Sequence, residues 1–183
     1  MKSMQIMVTA SLGLMLLSGC QTVRSTSVAE PTAPPETVRV TLIGADNQSV
    51  GSAQLTAVSN GVQMDVQVSG LSPGVHGLHI HEKARCEAPT FDSAGSHFNP
   101  HQKEHGFLNP KGAHAGDLPN LVVDAQGNGR FSGVTKVVVL DRGKSNSLFK
   151  PDGTSLVIHE KADDLKTDPS GNSGKRIACG AVK

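Results

Sequence analysis

Six of the eight histidines of this chain, with one aspartate, form a set of seven side chains suited to transition metals, and their spacing is informative. His79 and His81 flank Ile80 in the run Gly77-Leu-His-Ile-His-Glu82. Alternate residues of a β-strand face the same way, so both imidazoles address one spot while Ile80 enters the core. A solvent-facing polar pair gives the same pattern, so this pair alone decides little. His97 follows in Gly95-Ser-His-Phe-Asn-Pro100, with His105 eight residues on, His114 nine beyond that and Asp117 three later. His159 ends the apolar run Leu156-Val-Ile-His159. Imidazole suits copper and zinc, and three histidines with one carboxylate make a closed tetrahedral zinc set. Two four-donor sites that share one imidazolate need seven ligand residues, which is the number present.

Those side chains need a rigid frame, and the chain supplies short β segments. Val38, Val40 and Leu42 alternate with polar residues, as do Gln54 to Val58 and the series Val62, Met64, Val66, Val68. Turn signals at Asp46-Asn47, Asn60-Gly61 and Ser72-Pro-Gly74 separate them. Further strands are expected from about His76 to Glu82 and over 118–124, 130–136, 155–159 and 176–182, with a tight turn at Asp124-Ala-Gln-Gly-Asn-Gly129. No segment carries a helical stripe. About eight short strands predict an all-β sandwich or barrel. Residues 83–117 and 160–175 exceed ordinary connection length, and both are bracketed by histidines, which marks them as functional loops.

The N-terminus reads as processing signals. Lys2, the short apolar run Ile6 to Leu17 and then Leu17-Ser-Gly-Cys20 have the form of a bacterial lipoprotein signal cleaved before Cys20, whose thiol takes lipid. The run is too short to cross a bilayer. Residues 20–36, rich in Ser, Thr, Pro and Ala, read as a flexible tether. The expected organisation is a signal peptide at 1–19, a lipidated tether at 20–36 and one β domain at 37–183. Two cysteines then remain, Cys86 and Cys179, and an exported chain favours a disulfide over two free thiols. The whole chain carries 17 Lys and Arg against 16 Asp and Glu, so it balances once Lys2 is removed. That balance, with no Trp or Tyr, argues against nucleic-acid binding.

Six motifs arrive in an order that resembles the copper,zinc superoxide dismutase family, in a bacterial lipoprotein form. They are Gly77 to Glu82, Ser93 to Pro100, His105-Gly106, His114-Ala-Gly-Asp-Leu118, Val157 to Asp164, and Gly171-Asn-Ser-Gly-Lys-Arg-Ile-Ala-Cys-Gly180. The resemblance covers the chain from about residue 38. It implies an eight-stranded Greek-key β-barrel, an immunoglobulin-like sandwich with two long functional loops. It also implies conversion of superoxide to dioxygen and hydrogen peroxide by copper redox cycling, with zinc shaping the site. Position by position, His79, His81, His97 and His159 match the copper ligands. His97, His105, His114 and Asp117 match the zinc ligands, with His97 as the bridge. Asp163 matches a carboxylate linking a copper ligand to a zinc ligand, Cys86 and Cys179 match the internal disulfide, and Arg176 matches the arginine at the copper channel. Arg176 and His97 are therefore the expected catalytic residues. His76 matches a structural position, and His101 reads as a solvated loop residue.

The 160–175 loop departs from the family pattern, with Lys161, Lys166 and Lys175 against Glu160, Asp163, Asp164 and Asp168. Ser170 stands where a threonine often lines the channel, which leaves substrate guidance by this loop open. Family members include monomers and dimers, so a homodimer is one expectation. The expected setting is extracytoplasmic, with the N-terminal lipid the only link to a bacterial membrane, on the cell surface or in the periplasm, guarding the envelope against superoxide. A surface metal buffer built on the same barrel is the competing reading.

Overall fold

The computed structural model describes residues 36–183; the expected signal peptide, Cys20 and most of the tether lie outside them. Nine strands form one antiparallel sheet: β1 Thr37–Gly44, β2 Ser49–Val58, β3 Gly61–Val68, β4 Gly74–His76, β5 Leu78–His81, β6 Leu121–Val123, β7 Gly129–Thr135, β8 Thr154–His159 and β9 Arg176–Val182. Their order across the sheet is β4-β6-β7-β3-β2-β1-β9-β8-β5. β4 and β5 stand at opposite ends of that order although only Gly77 separates them, so the sheet curls into a nearly closed barrel. Counted as one broken strand, β4 and β5 reduce the nine to the eight of the Greek-key barrel.

Gly77 breaks the strand because its backbone bonds elsewhere. Its N–H donates to Lys161 O at 2.7 Å and its carbonyl accepts from His159 N–H at 2.8 Å. A Cβ there would lie 2.9 Å from Ser173 Cβ, so only glycine lets the 160–175 loop approach this closely.

Alternation dictates the core. In β3, Val62, Met64, Val66 and Val68 are buried while the intervening Gln63, Asp65 and Gln67 point outward. β8 is buried at every residue because it is covered on both faces. Leu156 and Ile158 face the main core, and Val157 packs outward with Phe91, Ala94 and Cys179 in a second cluster. That small cluster docks the start of the metal loop onto β8 and β9. The connection from 136 to 153, which shows no strand or helix period, also contributes Val138, Leu140, Leu148 and Phe149 to the main core.

Candidate metal centre

Backbone geometry brings the histidines together. Two pieces of the 83–117 loop return to β5: Ile80 N–H donates to Gly116 O, and Phe98 N–H donates to Ile80 O, each at 2.8 Å. This sets His79 opposite Asp117 and His81 opposite His97. His159 reaches the same place from the end of β8, which pairs with β5. His79, His81, His97 and His159 can each offer an atom within 4.8 Å of the others, and so can His79, His97, His105 and Asp117. His114, expected in the second group, sits at its edge: its Nδ1 lies 3.4 Å from His97 Nδ1 and 3.3 Å from Asp117 Oδ1.

The outward nitrogens identify the inward ones. His79 Nε2 donates to Asp163 Oδ2 at 2.8 Å, His81 Nδ1 to Gly95 O at 2.9 Å and His159 Nδ1 to Gly174 O at 3.2 Å. A neutral imidazole has one N–H, so each donor ring keeps a lone pair on its other nitrogen. His79 Nδ1 is buried without a partner, and so is His97 Nε2. His81 Nε2 and His159 Nε2 face each other at 3.4 Å. These four nitrogens, two of them partnerless and two facing each other, address one buried space and fit a copper ion.

The second set is built round one carboxylate oxygen. Asp117 Oδ2 accepts the N–H groups of Gly106 and His114, each at 2.9 Å, which fixes the group. Oδ1 then lies 3.0 Å from His97 Nδ1, 3.0 Å from His105 Nδ1 and 3.3 Å from His114 Nδ1. Ligands about 2.0 Å from a tetrahedral zinc ion stand about 3.3 Å apart, so these donors fit zinc. His97 presents one nitrogen to each set.

Burial and the two carboxylates pull the histidines of the centre in opposite directions. Burial pushes His159 down to about 3 and His97 to about 4, with neighbouring imidazoles adding to the first; hydrogen bonding to Asp117 opposes the second. Burial also holds His81 well below and His79 below the usual histidine range. His105 behaves oppositely. Burial pulls it down, but hydrogen bonds to Asp117 and Asp163 outweigh that and raise it to about 9. Against burial, the hydrogen bonds of His105, His114 and His97 hold Asp117 far below the carboxylate range.

Arg176 opens β9 half-buried, donating to Phe91 O at 2.6 Å and Gly95 O at 2.7 Å. Gly95 O therefore serves both Arg176 and His81. Arg176 lines a hollow of about 480 Å3 with Lys175, Gly174 and Asp92. Cys86 and Cys179 are bonded, with their Cα atoms 5.5 Å apart. His76, buried between the carbonyls of Ser72 and His159, ties β4 to the end of β8. His101 is exposed.

Two residues at the site escaped the sequence reading. Asn120 Nδ2 donates to Asp163 O while its Oδ1 accepts Asp163 N–H, both at 2.9 Å, so one amide holds the backbone of Asp163. Asp168 Oδ1 accepts the His105 N–H at 2.7 Å and stands 3.9 Å from His114 Nε2. The acidic residues of the 160–175 loop are thus partly committed to bonds within the fold, although only one of them is buried. Asp163 is buried, Asp168 holds the metal loop, and Asp164 caps the N–H groups of Lys166 and Thr167.

Comparison with known proteins agrees with this geometry. Residues 49–182 match the family described as copper/zinc superoxide dismutase. The chain is similar to superoxide dismutase [Cu-Zn] 2 of Aquifex aeolicus (strain VF5), at 48% identity over 143 residues, 78% of this chain and 84% of that one. It is similar to the superoxide dismutase-like protein YojM of Bacillus subtilis (strain 168), at 43% over 145 residues, 78% and 74% of the two chains. Among solved structures, a SOD-like protein from Bacillus subtilis superposes with TM-score 0.77 at 43% identity, over 79% of this chain and 97% of that one. The Cu/Zn superoxide dismutase from Brucella abortus gives 0.63 at 27%, over 81% and 100%.

Proposed function

The chain belongs to the copper/zinc superoxide dismutase family, and from that premise we propose which residues hold the metals, how they act and where. The protein is an oxidoreductase acting on superoxide, and its cofactors are copper and zinc. His79, His81, His97 and His159 would hold copper, and His97, His105, His114 and Asp117 zinc. Copper, when bound, supplies a one-electron couple that oxidises one superoxide to dioxygen and reduces the next to peroxide, while zinc adds a fixed divalent charge.

The remaining chemistry is done by side chains. His97 Nε2, buried and partnerless, is the atom that can carry a proton toward the reduced oxygen species. Asp163 fixes the ring planes of His79 and His105 through one carboxylate, so motion in one set is resisted by the other. Arg176 presents a permanent charge to the substrate anion from a frame fixed by two carbonyls. The observation that carries this reading is the arrangement of ring nitrogens, the outward ones of His79, His81 and His159 bonded and their inward ones turned to one buried space, with His97 facing both sets.

The setting is the cell envelope, with the chain held by lipid on Cys20, a tether over 20–36 and the catalytic domain over 37–183. The motif ending in Cys20 and a disulfide suited to an oxidising compartment support it. There the enzyme would remove superoxide arising outside the cytoplasm. The deciding experiment is metal analysis with a superoxide-consumption assay on the wild type, His159→Ala and Asp117→Ala. His159→Ala should lose copper and activity while keeping most zinc, and Asp117→Ala should chiefly lose zinc. Equal loss of both metals in both variants would contradict two distinct sets, and a fully metallated wild type without turnover would leave a metal store.

A further inference from the structure

Away from the metal centre, four cations gather round one hollow of about 300 Å3. It is lined by Arg85, Arg142, Lys150 and Lys183 with Ala84, Phe149 and the 151–153 turn, and Asp152 is its one acidic side chain. We propose that this hollow binds a phosphate group, free or as part of a lipid headgroup.

Charge is the first argument. Four positive side chains against one negative give the side chains of the lining a formal charge of +3, in a chain whose side chains as a whole carry +1. The cations are not neutralised internally. Among the described residues, the only Lys or Arg within 4.0 Å of a carboxylate is Lys111, beside Glu104. Like charges packed together raise each other's energy, and a bound anion relieves that cost.

Preorganisation is the second. The Arg142 guanidinium lies 4.4 Å over the ring of Phe149, and Phe149 is 7% exposed, so a fixed ring holds the cation. A stacked guanidinium still presents N–H groups at its edge, in the fork that matches two phosphate oxygens. The wall opposite is equally fixed. Gly153 N–H donates to Lys150 O at 2.7 Å, closing the turn, and Ala84 N–H donates to Asp152 O at 2.8 Å. Gly153 has φ +61°, and a Cβ there would lie 2.5 Å from both Ala84 Cβ and Val182 O. Only glycine lets the turn sit this close, and the close approach brings Lys150 and Lys183 to the same hollow. No lining residue belongs to the metal sets, so the site is independent of turnover.

The test uses the metal-loaded protein with inorganic phosphate and pyrophosphate, followed by amide chemical shifts and calorimetry. Saturable shifts should concentrate at residues 84–85, 142 and 149–153. Arg142→Gln and Lys150→Gln should each weaken binding at least about fivefold, consistent with loss of a charge-assisted contact. Lys144→Gln, an exposed neighbour outside the lining, should change it less than about twofold, as expected of a screened surface charge. Metal content and superoxide turnover should stay at wild-type level in all three, and Lys150→Gln decides the matter if loss of the Arg142 stack unfolds the loop. Vesicles of phosphatidylglycerol and of phosphatidylcholine separate the two sources. A preference for the anionic vesicles that both substitutions remove and phosphate competes away assigns a lipid headgroup; phosphate binding without that preference assigns the free ion. Unsaturable shifts spread over all surface lysines, or equal weakening by Lys144→Gln, would overturn the site.

Discussion

His105 differs from every other histidine of the centre because both its ring nitrogens hydrogen-bond to carboxylates, Nδ1 at 3.0 Å from Asp117 and Nε2 at 2.9 Å from Asp163. Without metal it is held as an imidazolium, with its pKa raised to about 9. Zinc needs the lone pair on Nδ1, so binding must expel a proton at neutral pH. Calorimetry in buffers of different ionisation enthalpy should show about one proton released per zinc at pH 7 from this residue. Zinc affinity should rise with pH and level off near 9. The sign for stability follows: a raised folded pKa stabilises the metal-free fold fully below about 6.5, and that contribution is lost as pH climbs to about 9. The depressed histidines act oppositely, costing nothing above about 6.5 and destabilising the metal-free fold as pH falls toward about 4. A zinc affinity flat from pH 6 to 9 would contradict this picture. Asp168 makes a second test. Half-exposed, it contributes about 1 kcal/mol through its bond to His105 N–H after allowance for solvent. Asp168→Ala should therefore speed zinc release to a chelator about fivefold, and Asp168→Asn, which keeps an acceptor oxygen, should restore most of the loss.

Among elements, the strands differ in how plainly the sequence announces them. β3 and β9 are legible because one face is apolar or small, and β8 because it is an unbroken apolar run. The first half of β2, from Ser49 to Ala53, carries too few apolar side chains to show a period, yet it pairs with β3 from Gly51 onward. The strand expected over 118–124 shrinks to Leu121–Val123, since Pro119 offers no N–H and Asn120 is committed to Asp163. Core residues in 136–153 were invisible because turns, not a repeat, turn them inward. The histidines that the structure gathers were readable from alternation and motif order. Asn120 and Asp168 were not, because their contacts cross 43 and 63 residues with no local signature. The disulfide is the element-scale prediction. It spans 93 residues and pins the Phe91–Ala94 segment, whose neighbouring carbonyls hold Arg176. Replacing Cys86 and Cys179 by serine should cost about 2–4 kcal/mol of stability in denaturant melts. Turnover should fall further than copper content, because Arg176 loses its frame while the ligands keep theirs. A loss under about 1 kcal/mol would show that the bond does little for the fold.

At the scale of the whole molecule, location and electrostatic field are what remain to test. Cys20→Ser should move the protein from the membrane to the soluble fraction or leave its signal uncut, and persistent detergent-dependent membrane association would sink the lipid anchor. The field is subtler because the catalytic loop is formally acidic. Of its acids only Asp163 is buried, while Asp168 and Asp164 bond backbone N–H groups from the surface, and Lys175 is exposed beside Arg176 in the hollow that Arg176 lines. No acid of the 160–175 loop lines that hollow, which Lys175 and Arg176 share with Asp92. Arg176 is a poor probe of steering, because removing it also frees Phe91 O and Gly95 O. Lys175 has no side-chain bond to lose among the described residues, so Lys175→Glu reads the field alone. A unit charge at about 10 Å in water is worth about 0.4 kcal/mol, and reversal doubles that. The expected drop in kcat/KM is about fourfold at low ionic strength, shrinking as salt brings the Debye length to about 8 Å and below, with both metals retained. An unchanged rate at low salt would place substrate guidance wholly on Arg176 and the ligand set.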